Sequence, residues 1–217
     1  MKNDVSTLRN LLLQVNPQSC PNDINFHCHT IYSDGSMRPE ELIHQACLNN
    51  VRNIAVTDHH SIHSFPLITN WLFQHNSIYN SINFWSGIEI SCLLKGCLVH
   101  VLGLGFDPTS SYLKPYTTGD APQGVHLHAS NVISSIRNAS GLSILAHPAR
   151  YRLNYKELIL EAHSLGIDGV ETWYDYDMSA QWKPTMYLCS SIDKLVKSLD
   201  LLSSCGTDSH GYSLFSR

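Results

Sequence analysis

The sequence predicts an α/β fold with a mostly parallel sheet. Seven short apolar runs of strand character recur along the chain, and segments with apolar residues at helical spacing separate most of them. A short connection at Lys95-Gly96, between the third and fourth runs, predicts one antiparallel hairpin inside an otherwise parallel arrangement. Seven such strands can close into a barrel or stay open as a doubly wound sheet, and both architectures are compatible with the pattern.

The elements follow in order. A short amphipathic helix is expected over 7–15, within an N-terminal extension spanning 1–22. Strands are expected at 24–30, 53–60, 82–91, 97–106, 141–148, 168–173 and 201–211. The first helix between strands opens on Pro39, a favoured residue in a first turn, and carries Leu42, Ile43, Ala46 and Cys47 on one face. Further helices are expected over 64–76, 130–140, 154–166 and 190–199. Asn154 is a candidate N-cap with Glu157 three residues on, and Gly141 and Gly166 are candidate C-terminal stops. Residues 107–124 are rich in Pro, Gly, Ser and Thr, lack periodicity and read as a long functional loop.

The chain of 217 residues is long enough for one large domain, and no internal boundary is visible. A net charge of −4 without a Lys or Arg run argues against gripping long nucleic acid through many phosphates. Seven cysteines, an odd number without a C-x-x-C pair, suggest reduced thiols and a cytoplasmic location. The N-terminal apolar run is too short for a signal peptide or a membrane span.

Ionisable residues gather late in the apolar runs. In order these are His27 and His29, Asp58 with His59 and His60, Glu89, His100, His147, Glu171, and Asp208 with His210. In parallel α/β barrels the C-terminal strand ends meet at one face. A lone histidine in an apolar run is usually a hydrogen-bonded core residue. Burying so many ionisable groups together is costly unless cations compensate, and imidazole and carboxylate are normal ligands of divalent metals. On a strand, His27 and His29, at i and i+2, would point to the same side and reach one ion.

The stretches "HCHTIYSDGS", "AVTDHHS", "GIEIS", "VHVLG", "LAHPARY" and "GTDSHG" resemble the successive motifs of the PHP (polymerase and histidinol phosphatase) superfamily, from about residue 24 to 211. The longer forms "AHPARY" and "GTDSHG" are most similar to its stand-alone metal-dependent phosphoesterases, including those acting on nucleoside bisphosphates and short RNA ends. The resemblance implies a distorted seven-stranded (β/α)7 barrel, one PHP domain over 1–217, and two or three divalent ions, Mn, Zn or Fe. It implies one ion held by His27, His29, Glu89 and Asp208, a second by Glu89, His100 and His147, and a third by Asp34, His59 and His210. One departure stands out. His100 and His147 are 47 positions apart, which leaves no room for the helical insertion carried there by related nucleotide phosphatases.

The implied activity is hydrolysis of a phosphomonoester, or of a short nucleotide or oligonucleotide phosphoester, by metal-bound hydroxide. The expected partner is a small phosphorylated molecule, with neither a membrane nor long nucleic acid. Arg150, three residues after His147, is the candidate phosphate-binding residue. His60 is a candidate proton donor, although neighbours on a strand face opposite ways. Asp58 and Glu171 are expected to orient ligands, and Cys28 to pack away from them. His126 and His128 lie outside the matched motifs and read as solvated or capping residues, and the remaining histidines as surface residues. The aromatics of "ETWYDYD" either stack a nucleobase or cover the barrel mouth. A metal-dependent amide hydrolase and a non-catalytic metal-binding regulatory module remain as alternatives.

Overall fold

The computed structural model describes residues 4–75 and 82–216. Helix α1 (Val5–Leu12) starts two residues earlier than its periodicity suggests, because the Asp4 carboxylate accepts from Ser6 N at 3.1 Å. Its Leu8 and Leu12 are fully buried in a cluster with Trp85, Leu104 and Ile144, so the helix closes one end of the molecule. Arg9 pins it to Asp168 at 2.7 Å.

Then come β1 (Ile24–Asn25), α2 (Pro39–Leu48), β2 (Asn53–Ala55), α3 (Ser64–Gln74), β3 (Asn83–Trp85), β4 (Gly87–Leu94) and β5 (Cys97–Leu104). Helix α4 (Ala129–Asn138), β6 (Leu142–Leu145), α5 (Tyr155–Ser164), β7 (Gly169–Trp173), α6 (Met186–Ser198) and β8 (Leu202–Cys205) complete the α/β pattern. Position 76, the end of the expected third helix, and positions 1–3 lie outside the described residues.

The strands form two sheets rather than one closed seven-stranded sheet. One is all parallel, in the order β1-β2-β3. The other runs β4-β5-β6-β7-β8, antiparallel up to β6 and parallel from there to β8. The expected third strand divides at Ser86. There the backbone leaves β2 and turns to β5, with Ser86 O accepting from Gly105 N at 2.8 Å and Ser86 Oγ donating to Phe106 O at 2.6 Å. A side chain at the next residue, Gly87, would place its Cβ 2.4 Å from Val56 O, so the crossing requires glycine. The hairpin at Lys95-Gly96 is present, and both residues have positive φ, 52° and 70°, as a tight two-residue turn demands.

Backbone bonds join the two sheets at both margins. Phe26 N donates to Cys205 O and His29 N to Ser209 O, each at 3.0 Å, which links the ends of β1 and β8. On the other side Glu89 N donates to Asp58 O at 3.2 Å and His60 N to Glu89 O at 3.0 Å. The expected strands over 24–30, 53–60 and 201–211 are therefore shorter than their apolar runs. Regular pairing stops before the ionisable residues, which continue as bridged, extended chain.

The segment 107–124 is not featureless. A 3-10 turn over Ser111–Tyr116 buries Leu113 and Tyr116 in the core shared with α4, and Gly119 N donates to His60 O at 2.9 Å. Asn154 caps α5 through Lys156 N, whereas Glu157 pairs with Lys95 at 3.1 Å instead of closing a capping box. Ser140, not Gly141, takes the left-handed position after α4, with φ of 63°. All seven cysteines are free, and among the described residues no helix is long and apolar enough to cross a membrane.

The junction of β8 with the segment after β1 is the tightest contact near the ionisable groups. A Cβ at Gly206 would lie 2.2 Å from His27 Cβ and 2.4 Å from His27 N. Gly206→Ala is expected to cost about 3 kcal/mol of stability through overpacking. Urea unfolding measures this, and an unchanged midpoint would contradict the packing.

Candidate metal centre

Eight residues line a cavity of ≈ 370 Å³: Asp34, His59, Glu89, His100, His147, Arg150, Asp208 and His210. His27 and His29 lie beneath them and are fully buried. The cavity gathers side chains from the ends of β1, β2, β6 and β8 and from the middle of the β4-β5 hairpin. On that hairpin Glu89 sits opposite Leu102, and His100 opposite Ser91.

Glu89 is the central group, 1% exposed, with its two oxygens facing different histidines. Its Oε2 lies 3.0 Å from His27 Nε2 and 3.2 Å from His29 Nε2, and its Oε1 lies 2.8 Å from His100 Nδ1 and 3.3 Å from His147 Nε2. Asp208 Oδ1 is 3.3 Å and 3.2 Å from the same two Nε2 atoms of His27 and His29. A third gathering surrounds Asp34, whose Oδ2 is 3.3 Å from His210 Nε2 and 3.8 Å from His59 Nε2. All nine residues singled out in the sequence as ligands meet at one place; the set His27, His29, Glu89 and Asp208 gathers as the resemblance implies, His29 also joins Asp34, His59 and His210, and His147 gathers with His27 and Glu171 instead of with His100. His59 is shared more widely than expected, since its ligand atom also groups with those of Glu89 and His100.

The donor set fits divalent cations. His29 Nε2, His100 Nδ1 and Glu89 Oε1 are buried and have no hydrogen-bond partner among the described residues, although each lies about 3 Å from an opposite donor or acceptor. Atoms that crowd together without hydrogen-bond alignment point at a common position between them, as ligands of a shared ion do. Imidazole nitrogens with carboxylate oxygens suit Zn, Mn and Fe alike.

The electrostatics of the cation-free cluster agree. Burial alone would favour neutral carboxyl groups, yet the surrounding imidazoles hold Glu89 and Asp208 well below the usual carboxylate range. Burial also opposes a charge on His29, but the adjoining Asp208 and Glu89 carboxylates outweigh it and raise its pKa to about 9. His27 is likewise raised, against burial, by Glu171, Glu89 and Asp208. His59, desolvated and less well compensated by Glu89, falls to about 4.

A second layer fixes the first. Glu171 accepts from His147 N at 2.8 Å and faces His27 Nδ1 at 2.9 Å, so one buried carboxylate orients two histidines. Asp58 accepts from Thr30 N at 2.6 Å, Thr30 Oγ1 at 2.7 Å and Ser33 Oγ at 3.0 Å, which shapes the turn that presents Asp34. Cys28 points away from the cluster, donating to Ala55 O at 3.4 Å. His147 and Asp208 sit in the left-handed backbone region, with φ of 26° and 51°, a strained placement for residues other than glycine.

Arg150 reaches the cavity wall, where its Nη1 donates to Asp208 Oδ2 at 3.0 Å and to the Tyr174 hydroxyl at 3.1 Å. His60 does not line the cavity. It has φ of 52°, and its Nε2 is 3.1 Å from Ser91 Oγ, so the chain turns it away from its neighbour His59. His126 and His128 are exposed on the surface, and His126 packs edge-on against Tyr116.

Two tyrosines bond to the ligand residues, a role that the sequence reading gave to neither. Tyr151 accepts from His100 N at 2.8 Å, and Tyr174 donates to Asp208 Oδ2 at 2.6 Å. Tyr174 belongs to "ETWYDYD" and is 1% exposed, so it is part of the wall and not a platform for a base. The one available signal for Tyr151 was its position beside Arg150 in "AHPARY".

Comparison with known proteins agrees with this arrangement. The chain is 32% identical over 83 residues to the 5'-3' exoribonuclease Rnm of Salmonella typhimurium, covering 38% of this chain and 27% of that protein. It is 31% identical over 93 residues to the 3',5'-nucleoside bisphosphate phosphatase of Chromobacterium violaceum, covering 42% of this chain and 30% of that one. The match thus spans less than a third of either relative. Among solved structures, an amidohydrolase from Chromobacterium violaceum superimposes with a TM-score of 0.71 at 19% identity, covering 87% of this chain and 88% of that one. A Bifidobacterium adolescentis protein assigned as a metal-dependent phosphoesterase gives 0.70 at 18% identity, covering 88% and 89%. These two likenesses establish the fold. The model of the PHP domain matches residues 25–187, three quarters of the sequence, and the chain belongs to the PHP domain family.

Proposed function

We propose that this PHP domain is a metal-dependent phosphoesterase that hydrolyses a phosphomonoester or a short nucleotide or oligonucleotide phosphoester. The observation that carries the reading is Glu89, buried between two histidine pairs with one oxygen toward each. A carboxylate so placed suits two neighbouring cation positions, and the chain supplies the remaining donors of each. We assign His27, His29, Glu89 and Asp208 to one position, Glu89, His100 and His147 to a second, and Asp34, His59 and His210 to a third. Divalent cations bound there would supply acidified water and electrostatic stabilisation of the phosphoryl group.

The protein's own contributions can be named. Glu171 and Asp58 keep the imidazoles and Asp34 in place before any ligand arrives. Arg150 presents its guanidinium at the cavity wall, where it can hold a phosphate oxygen as a fixed charge. The buried floor of His27, His29 and Glu89 keeps bulk water from screening these charges. The relatives act on an RNA 5' end and on a nucleoside bisphosphate, as their names state, and this supports a small phosphorylated nucleotide or short RNA as substrate. His60 has no place in this scheme.

His27→Ala and Asp208→Ala are each expected to abolish both cation binding and phosphoester turnover. The test is metal analysis coupled to a panel of nucleoside 3',5'-bisphosphates, 5'-phosphorylated oligoribonucleotides and an aryl phosphate, with an amide substrate as contrast. Turnover that survives both changes, or is confined to the amide, contradicts the assignment. Arg150→Ala should raise KM about 10-fold or more through loss of a charge-assisted contact, and an unchanged KM rejects its role.

Cation uptake should also release protons. His29, raised to about 9, carries a proton below that pH, and a ligating imidazole must lose it. Apparent affinity should therefore climb as pH rises toward about 9 and weaken as it falls. Calorimetric titration in two buffers of different ionisation enthalpy measures the released protons, and identical heats in both would refute the linkage.

A further inference from the structure

Asp208 has two differently engaged oxygens. Oδ1 faces the meeting point of His27 and His29, at 3.3 Å and 3.2 Å from their Nε2 atoms. Oδ2 is turned to the wall, where it accepts from the Tyr174 hydroxyl at 2.6 Å and from Arg150 Nη1 at 3.0 Å. The triangle is closed by Arg150 Nη1 donating to the Tyr174 hydroxyl at 3.1 Å. The Tyr174 ring is 5.4 Å from that of His147, edge-on, and 4.9 Å from that of Tyr176. Packing of this kind fixes the ring and so fixes where the hydroxyl sits.

A carboxylate can offer a cation one oxygen or two, and can rotate between these arrangements unless something holds it. Asp208 stands on a left-handed residue at the end of β8, a short and irregular part of the backbone. Its rotamer is therefore set by side chains. A short hydrogen bond from a buried phenol is directional, whereas Arg150, 39% exposed along its side chain, is the less constrained donor.

We propose that Tyr174 is a positioning residue for the metal centre: its hydroxyl holds Asp208 Oδ2 against the wall, so that Asp208 presents Oδ1 alone to the cation shared with His27 and His29. The inference rests on the phosphoesterase reading only in taking Asp208 as a cation ligand. In this assignment Tyr174 acts through Asp208 and not as a ligand itself. It also ties Arg150 to the same carboxylate, so that the group expected to receive phosphate and the group expected to hold the cation keep a set separation.

The test is calorimetric titration of the full chain with Mn²⁺, without substrate. Tyr174→Phe keeps the ring and its packing and removes only the hydroxyl. It should weaken the tightest Mn²⁺ site about 10- to 100-fold, as loss of a group that orients a ligand typically does, with the cation-free protein still unfolding cooperatively. In an Asp208→Asn background, which unlike alanine keeps an oxygen ligand and so retains weaker Mn²⁺ binding, the same change should alter affinity less than about twofold, because the residue it acts through is already altered. A merely structural tyrosine would change Mn²⁺ affinity by the same factor in both backgrounds, and that result overturns the proposal. Should Tyr174→Phe fail to fold, Tyr174→Met removes the same hydroxyl while filling the wall with a flexible apolar side chain. A loss of affinity in the same direction then supports the held-carboxylate geometry, and unchanged affinity overturns it. Wild-type protein that binds no Mn²⁺ overturns the metal centre and this inference together. Wild type and Tyr174→Phe binding equally well overturns this inference alone.

Discussion

A carboxylate buried among four imidazoles is the constraint on which the rest of the molecule depends. Glu89 is almost fully removed from water, and an ionised carboxylate in that position is unstable without compensating positive charge. The fold answers by bringing His27, His29, His100 and His147 to within 3.3 Å of its oxygens, from three separate parts of the chain. The compensation is reciprocal. Against the effect of burial, the same carboxylate with Asp208 raises His29, and with Glu171 and Asp208 raises His27, above the ordinary range. A cluster of this kind exchanges protons for cations readily, because either can supply the positive charge that the acids require.

The architecture is shaped around that requirement. The two sheets are joined near the cluster by short backbone links, at Phe26–Cys205 and His29–Ser209 on one margin and at Asp58–Glu89–His60 on the other. Glu89 and His100 sit within the regular β4-β5 hairpin, whereas the ligands after β1, β2, β6 and β8 follow where regular strand geometry ends. An ideal strand presents every second side chain on one face, which serves His27 and His29 but cannot also aim His147 and Asp208 at the same point. The latter two take left-handed backbone conformations instead, held by bonds such as His147 N to Glu171 Oε2 and Asp208 N to His27 O. Local strain at these positions is borne by the packed scaffold below, where α1 and the Trp85–Leu104–Ile144 cluster seal the far end.

Much of this was legible in the order of residues along the chain. The α/β class, the hairpin at Lys95-Gly96 and the helix cap at Asn154 follow from periodicity and turn chemistry, and most of the ionisable residues gathered at the site stand late in apolar runs, whereas Asp34 came only from the likeness of "HCHTIYSDGS" to a family motif. Other features were misread. The third strand divides at Ser86 because the chain must leave one sheet for the other, and an unbroken apolar run carries no mark of that. His60 was a candidate proton donor despite facing away from its strand neighbour His59, and it turns toward Ser91, outside the cavity, with a positive φ.

The sequence by itself determined which chemistry is present, because the kind and number of ligating side chains are written in the residues and their positions within apolar runs are local properties. Only the tertiary structure decided which atoms share a point in space. That Glu89 faces two histidine pairs, that Asp208 turns one oxygen inward and the other to Tyr174, and that Tyr151 holds the backbone of His100 are contacts between residues dozens of positions apart. The direction of a side chain in such contacts is set by the packing of every neighbouring element at once, and no short window of sequence contains that information.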